Sequence, residues 1–341
     1  MRVLWLSPGF AADENDLNCI PPLQLLASEL IAQGIDLQII TLDYPFRGGG
    51  YRWNEIPVFS GNGQLRWFNR IRAKRFAERA NTQQKFDVIH SFWLGPCWLI
   101  GQHLSKKWGI PHYTTLMGQD VLPSNRYRHF LRQQHTASLV ALSDFHNDVF
   151  QATTGYRAAC IVPWGQGGLS HLPTQRPLDI LGCGSLISVK NWTLWLQVVA
   201  AVAASKPELR AELIGGGVEQ PILEHLIQQY GLENIVVLRG SVPRPQVLER
   251  MRAAKVLLHT AHFESFGFVL TEAAMNGCRV VSTPVGIAPQ LTNQLGRTPK
   301  ELSIEVLHAL NAPLLDKPNI PFTMEETAQA YLRMYNGYFI C

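Results

Sequence analysis

Two glutamates, Glu264 and Glu272, are separated by seven residues in a segment whose pattern is strand, loop, helix and second strand. An apolar run at 255–260 predicts the strand, and helical spacing over 266–276 predicts a helix that ends before Gly277. A helix N-terminus presents unpaired N–H groups and a positive dipole end, which together bind phosphate. Because carboxylates repel phosphate, two of them nearby indicate a ligand whose hydroxyl groups flank its phosphates, such as a nucleotide sugar.

The segment Glu264-Ser-Phe-Gly-Phe-Val-Leu-Thr-Glu272 resembles the E-x7-E signature of the retaining family 4 glycosyltransferases. The resemblance implies that Glu264 binds donor-sugar hydroxyl groups during catalysis and that Glu272 accepts hydrogen bonds from the ribose. It also implies that the donor diphosphate binds the backbone N–H groups at the start of the helix, those of Gly267, Phe268 and Val269. The alternative interpretation is a βαβ unit with two solvated glutamates.

A second element follows the predicted strand 180–183 and reads Gly184-Ser-Leu-Ile-Ser-Val-Lys190-Asn. The family usually has G-R-L-x-x-x-K-G here, with the arginine and lysine neutralising the donor diphosphate. Lys190 matches and is therefore predicted to act in donor binding and catalysis, whereas Ser185 replaces the arginine and offers only a neutral hydrogen bond. Charge-assisted bonds to phosphate are the stronger ones. A solvated lysine before a helix is the alternative for Lys190.

The remaining motifs resemble the family less closely. The loop containing Gly240 and Val242 resembles the family's G-x-V element beside the nucleobase. In the first half, His90 ends a D-V-I-H element, and Asp120 ends a segment in which Met117 replaces the family's histidine. His90 and Asp120 are thus candidate catalytic residues. A core or strand-end histidine and a helix N-cap aspartate explain them as well.

Strand and helix patterns alternate along both halves, which predicts an α/β fold with parallel, doubly wound sheets. The resemblance implies the GT-B fold, with two Rossmann-like domains facing a cleft and a C-terminal helix that returns to the first domain. We expect an acceptor domain at 1–165, a donor domain at 166–321 and the returning helix at 322–341. The stretch 46–63 is predicted to be irregular.

The composition excludes several other classes of protein. The chain has 341 residues, 46% of them hydrophobic, and a net charge of +4, which is too small to indicate nucleic acid binding. No apolar run approaches the roughly 20 residues that span a bilayer. Six scattered cysteines without a C-x-x-C pair argue against a zinc site and a disulfide framework, so we expect a cytoplasmic protein. His259 and His262 fall on opposite faces of a strand end, so no metal site is predicted.

A basic segment at 66–80 carries six cations and one glutamate, with Trp67, Phe68 and Ile71 on one predicted helix face. One interpretation is contact with an anionic membrane surface, where lipid-linked acceptors reside. The other is an ordinary helix that covers the sheet.

Together these features predict a glycosyltransferase that needs no cofactor and no obligatory metal. It would move a sugar from a nucleoside diphosphate sugar to a glycan, lipid-linked or small-molecule acceptor, with retention of configuration. Polysaccharide biosynthesis is a process that uses such an enzyme. The replaced arginine and histidine motivate an alternative, a non-catalytic GT-B-like protein that binds a nucleotide sugar or serves in assembly. A nucleotide-sugar epimerase or hydrolase is a further alternative.

Overall fold

The structure is a computed structural model that describes residues 1–62, 66–166, 172–319 and 321–338. The chain divides into two compact units. Unit 1 comprises Met1–Trp164 together with Phe322–Cys341, and unit 2 comprises Gly165–Pro321. The expected domain limits at 165 and 321 lie within one residue of these boundaries.

Unit 1 contains eight strands and six helices of α type among its described residues. Its strands are β1 (Arg2–Gly9), β2 (Asp36–Tyr44), β3 (Gly49–Trp53), β4 (Ile56–Ser60), β5 (Val88–Phe92), β6 (His112–Thr115), β7 (Leu139–Ala141) and β8 (Cys160–Ile161). Its first five helices are α1 (Pro21–Ala32), α2 (Arg66–Gln83), α3 (Pro96–Trp108), α4 (Gln133–Thr136) and α5 (Asp144–Thr154). The sixth, the C-terminal helix of the chain, spans Met324–Tyr335.

The strands of unit 1 form one sheet in the order β3-β4-β2-β1-β5-β6-β7-β8. All neighbouring pairs are parallel except β3 and β4, which form an antiparallel hairpin. The expectation of an irregular 46–63 is therefore wrong over most of this range. These two strands are short, and β3 begins with two glycines, so the apolar alternation that marks a strand is weak there.

Unit 2 contains five strands and six helices among its described residues. Its strands are β9 (Leu178–Cys183), β10 (Ala211–Ile214), β11 (Val236–Gly240), β12 (Ala254–His259) and β13 (Arg279–Ser282). Its helices are α6 (Trp192–Ala203), α7 (Gln220–Gln229), α8 (Arg244–Ala253), α9 (Phe268–Met275), α10 (Ala288–Leu291) and α11 (Pro299–Asn311). The C-terminal helix Met324–Tyr335 of unit 1 is α12.

The sheet of unit 2 is parallel throughout, in the order β11-β10-β9-β12-β13. From β9 the chain moves outward to β10 and β11, and then it returns to the other side for β12 and β13. The strand order therefore reverses between β9 and β12. In open α/β sheets a ligand binds at such a switch point, beyond the carboxyl ends of the two strands.

Both units are built on buried apolar cores. In unit 2 the face of α6 that carries Trp192 and Trp195 packs on the sheet with α7 and α11. In unit 1 the buried Tyr331 and Tyr335 of α12 lie against the strand residue His90. These packed layers hold the strands rigidly, so the loops at their carboxyl ends are anchored at both sides.

Two further observations concern compartment and membrane. Four cysteines, Cys19, Cys97, Cys183 and Cys278, are free thiols, whereas Cys160 is disulfide-bonded. Within the described ranges, no helix is long and apolar enough to cross a bilayer.

Candidate functional site

The switch point of unit 2 is occupied by an ion pair between Lys190 and Glu264. Lys190 ends a short 3-10 turn, Ser188–Lys190, that follows β9, and Glu264 lies in the loop after β12. The Lys190 ammonium donates to Glu264 Oε1, and both side chains are largely buried, 19% and 16% exposed. Lys190, which the sequence predicts to bind the phosphates, is therefore in direct contact with Glu264, which it predicts to bind the sugar.

The two loops that carry this pair are joined by backbone contacts as well. Thr260 Oγ1 donates to the carbonyl oxygens of Lys190 and Asn191, each at 3.1 Å. The backbone N–H of His262 donates to the carbonyl of Val189 at 2.8 Å. The position of Lys190 relative to Glu264 is thus held by the main chain as well as by charge.

A buried histidine lies behind the glutamate. His259 Nε2 is 3.3 Å from Glu264 Oε1, and its Nδ1 is 3.1 Å from Ser282 Oγ. Burial by itself would raise the pKa of Glu264, but His259 and Lys190 outweigh it and lower that pKa to about 2. Burial lowers the pKa of His259 although Glu264 opposes this. Glu264 is therefore an anion at any working pH, ready to accept hydrogen bonds from hydroxyl groups.

The predicted phosphate-binding helix is α9, which begins at Phe268. Its N-cap, Gly267, has a φ of 84° and provides no side-chain cap for the first N–H groups. The loop after β13 supports this turn, because the N–H of Ile287 donates to the carbonyl of Phe266 at 2.7 Å. A Cβ at Gly286 would collide with the same carbonyl oxygen, so this close approach requires glycine. The backbone N–H groups of Phe268 and Val269 remain the predicted diphosphate donors.

Glu272, on the second turn of α9, is paired with a residue that sequence reasoning missed. Arg244, at the start of α8, donates Nε at 3.0 Å and Nη2 at 2.5 Å to Glu272 Oε1. Burial raises the pKa of Glu272, and Arg244 opposes the rise. Burial, and secondarily the charge of Glu272, raises the pKa of Cys183 at the end of β9 to about 12.

The glycine-rich loops after β9 and β10 pack against each other. A Cβ at Gly215, whose φ is 152°, would collide with the carbonyl oxygen of Gly184. Close packing of the two loops therefore explains a glycine at position 215. Ser185, the residue after Gly184, is exposed. Gly240 ends β11 with a φ of 67°, and Val242 is half-buried beyond it. Their predicted nucleobase contact stays a prediction.

In unit 1 the candidate His90 is a core residue by its contacts. It is fully buried, its Nδ1 is 2.5 Å from Tyr335 Oη, and its Nε2 is 2.8 Å from Thr115 Oγ1. Burial, and secondarily His112, lowers its pKa well below the ordinary value. Both ring nitrogens of His90 are thus engaged by hydroxyl groups of the protein, and the ring is neutral.

Asp120 organises a loop of unit 1. It lies in the 3-10 turn Gln119–Val121, where its carboxylate accepts from the N–H groups of Leu94 at 2.7 Å and Gly118 at 2.7 Å. Burial raises the pKa of Asp120 to about 6 against the lowering by these donors. Met117, which replaces the family's histidine, also donates its N–H to this carboxylate. The neighbouring imidazole is His146, whose Nε2 is 3.3 Å from the Gly118 carbonyl.

The basic helix α2 has a buried inner face and a charged outer face. Its inner face carries Asn69, Ala73, Ala77 and Ala80, which are buried against the sheet. Its outer face carries Phe68 and Ile71, 41% and 36% exposed, among the exposed arginines at 70, 72, 75 and 79. Trp67 was predicted to share a helix face with Phe68 and Ile71, but its side chain lies outside the described part of the structure. No group of metal-ligating side chains that could hold an ion occurs among the described residues.

Two family models match the chain. The model described as glycosyl transferases group 1 matches residues 170–299, and the model described as glycosyltransferase family 4 matches residues 23–167. Between them they cover most of both units.

Among curated proteins, the chain is 29% identical over 160 residues to the gpi3 subunit of phosphatidylinositol N-acetylglucosaminyltransferase from Schizosaccharomyces pombe, which is 47% of this chain and 35% of the relative. The chain spans about a third of the length of the curated relatives it matches first.

Solved structures share the fold over the whole chain. A glycosyltransferase from Rickettsia africae aligns with a TM-score of 0.74 at 14% identity, covering 98% of both chains. The Anabaena protein HepE in complex with UDP aligns with a TM-score of 0.65 at 18% identity, covering 98% of this chain and 95% of HepE. At these identities the likeness establishes the fold.

Proposed function

Because the chain belongs to the group 1 glycosyltransferases of the GT-B fold and resembles family 4, we propose that it transfers a sugar from a nucleoside diphosphate sugar to a hydroxyl-bearing acceptor. Transfer would retain the configuration of the sugar, as in the retaining family that the signature resembles. The observation that carries the proposal is the buried pair of Lys190 and Glu264 at the switch point between β9 and β12.

In this proposal, binding of the donor opens the ion pair between Lys190 and Glu264. Lys190 turns from Glu264 to the diphosphate, and the N-terminus of α9 faces the same phosphates. Both groups stabilise the negative charge that develops on the departing nucleoside diphosphate. Glu264, released from Lys190 but still bonded by His259, accepts hydrogen bonds from the sugar hydroxyls. Because Lys190 and the N-terminus of α9 would neutralise the diphosphate, we propose that transfer needs no obligatory metal.

The acceptor is proposed to be a glycan or a lipid-linked molecule. The matched Schizosaccharomyces pombe relative is named for a phosphatidylinositol acceptor, which is a lipid. The outer face of α2 supports membrane contact by this chain, because exposed arginines attract anionic headgroups and Phe68 and Ile71 can enter the interface. Vesicle flotation tests this point: a double variant Arg72→Glu, Arg75→Glu should lose binding to vesicles containing phosphatidylglycerol.

Nucleotide binding is the first test of the proposal. A thermal-shift screen with UDP, GDP, ADP and their sugars should show stabilisation by one nucleotide, because a ligand that binds only the native state raises the melting temperature. Glu272→Ala should weaken the shift, whereas Glu233→Ala, which removes an exposed carboxylate of unit 2, should not.

Product analysis then separates the alternatives. Release of nucleotide that depends on an added acceptor, with the anomeric configuration retained by NMR, supports a transferase. Release without acceptor identifies a hydrolase, and conversion of the sugar to its epimer identifies an epimerase. A protein that binds the donor and does none of these is the non-catalytic binding protein. The same reactions in EDTA test metal independence.

A further inference from the structure

The residue that the motifs leave unassigned is Arg244, the first residue of α8. Its guanidinium donates two hydrogen bonds to one oxygen, Oε1, of Glu272. Both side chains are largely shielded from water, with 25% of Arg244 and 11% of Glu272 exposed. Two donors on one carboxylate oxygen fix both the charge and the orientation of that carboxylate.

The other oxygen of the carboxylate is the one that a ligand can use. Glu272 Oε2 accepts no hydrogen bond from the residues that the structure describes, and this oxygen is not fully buried. A carboxylate oxygen held at an open edge in this way is suited to accept from hydroxyl groups.

The two helices that carry this pair are also tied at their other ends. Arg176, a buried residue, donates to the carbonyl of Met251 in α8 at 3.0 Å and to that of Asn276, just after α9, at 2.6 Å. The Arg244–Glu272 bond therefore joins two elements whose separation is already set. Arg176 thus connects the two helices independently of the Arg244–Glu272 bond.

Without Arg244 the carboxylate would be an isolated buried anion. Burial already raises the pKa of Glu272 even with the guanidinium in place, so removing the cation raises it further and favours the protonated form. A protonated carboxyl loses acceptor strength and gains a competing donor. Arg244 thus favours the ionised form of Glu272, which is the better hydrogen-bond acceptor.

We propose that Arg244 is a positioning residue that keeps Glu272 ionised and aims Oε2 at the ribose hydroxyl groups of the donor nucleotide. The inference rests on the proposed function, since it assumes that a nucleoside diphosphate binds in unit 2. It predicts that Arg244 acts through the ribose and only when Glu272 is present.

The test compares ribonucleotide with dideoxynucleotide. Calorimetry would measure the affinity of the wild type for UDP, GDP and ADP and for their 2′,3′-dideoxy forms. The wild type should prefer its ribonucleotide by about 10- to 100-fold, the worth of hydrogen bonds to a charged group. Arg244→Met should lose most of this preference while its affinity for the dideoxy form stays within about twofold. Arg244→Lys keeps the positive charge but has a single donor nitrogen, so it should recover part of the ribose preference.

A matched control exists on the same helix. Arg250, also in α8, forms a similar ion pair with Glu212, away from Glu272. Arg250→Met should leave the ribose preference unchanged, so a general effect of losing an α8 ion pair is separated from the proposed one.

The double variant Arg244→Met, Glu272→Gln distinguishes the remaining roles. If Arg244 acts through Glu272, adding Arg244→Met to Glu272→Gln costs nothing more. The opposite result is that Arg244→Met lowers nucleotide affinity as much in the Glu272→Gln variant as in the wild type, and equally for the dideoxynucleotide. That result would assign Arg244 to the phosphates and overturn the proposal. A wild type that binds nucleotide without ribose preference overturns it too, and a wild type that binds no nucleotide removes the proposed function itself.

Discussion

The carboxyl edges of the two sheets differ in how their polar side chains are used. In unit 2 the edge holds charged groups in pairs, Lys190 with Glu264 and Arg244 with Glu272. In unit 1 the candidate groups His90 and Asp120 are engaged by the protein's own hydroxyls and backbone N–H groups. The same strand-end location therefore holds charge pairs in one unit and groups bonded into the protein's own core and loops in the other.

The difference shows that position after a strand does not by itself make a residue functional. In the proposed complex only the Lys190–Glu264 pair opens, because the diphosphate would take Lys190 while His259 and the sugar hydroxyl groups bind Glu264. The bonds of His90 are buried under α12. Without the imidazole, Tyr335 Oη would keep its bond from Trp5 Nε1 and Thr115 Oγ1 its bond with Tyr331 Oη, but each would lose one buried hydrogen bond. Four experiments test this contrast, in decreasing order of expected effect.

The largest effect is expected for Glu264→Gln. The amide keeps the shape but cannot hold the charge that His259 and Lys190 stabilise, so transfer should fall about 10²- to 10³-fold. Steady-state kinetics with saturating donor measures it. The folded state should survive, as judged by thermal melting; transfer at the wild-type rate would assign Glu264 to structure, like His90.

An intermediate effect, on stability, is expected for His90→Phe. The change leaves Tyr335 Oη and Thr115 Oγ1 without their buried imidazole partner, and it should lower the free energy of unfolding by about 2–4 kcal/mol. Urea denaturation measures the loss. Nucleotide affinity of the folded variant should equal that of the wild type, and a selective loss of turnover would return His90 to the active site.

The pH dependence of nucleotide affinity separates the two glutamates. The pKa of Glu264 is about 2, so it does not titrate near neutrality, whereas burial raises the pKa of Glu272. Since the ionised form of Glu272 is the better acceptor for the ribose, affinity should weaken as the pH falls through its pKa, by at most the roughly 10- to 100-fold that the ribose hydrogen bonds contribute. Glu272→Gln should give a flatter profile in calorimetry; an unchanged slope would contradict the assignment.

The smallest effect is expected for Ser185→Arg, which restores the cation that the family usually has. Ser185 is exposed, so the longer side chain fits in water beside the loop, and affinity for nucleoside diphosphate should rise about three- to tenfold. The nucleoside without phosphates should bind unchanged, which is the internal control. A loss of affinity would show that the loop after β9 does not face the diphosphate.

Much of the architecture of unit 2 was predictable from the chain. Strand and helix periods are local properties, so the alternation and the strand–loop–helix around Glu264 follow from neighbouring residues. The hairpin at 49–60 was missed because its two strands have only five residues each, β3 begins with two glycines and β4 contains Pro57. The pairing of Arg244 with Glu272 was missed because the two residues are 28 positions apart and on different helices.

The amino-acid sequence alone determined the alternating α/β order, the fold type and the residue types at the switch point, because these depend on local pattern and on a contiguous motif. Only the tertiary structure decided which polar residues stay available. His90 is taken into the core by Tyr335, 245 positions away, while Lys190 meets Glu264 across 74 positions. The physical reason is that burial and pairing set the charge and accessibility of a side chain, and both arise from elements that are distant in the chain.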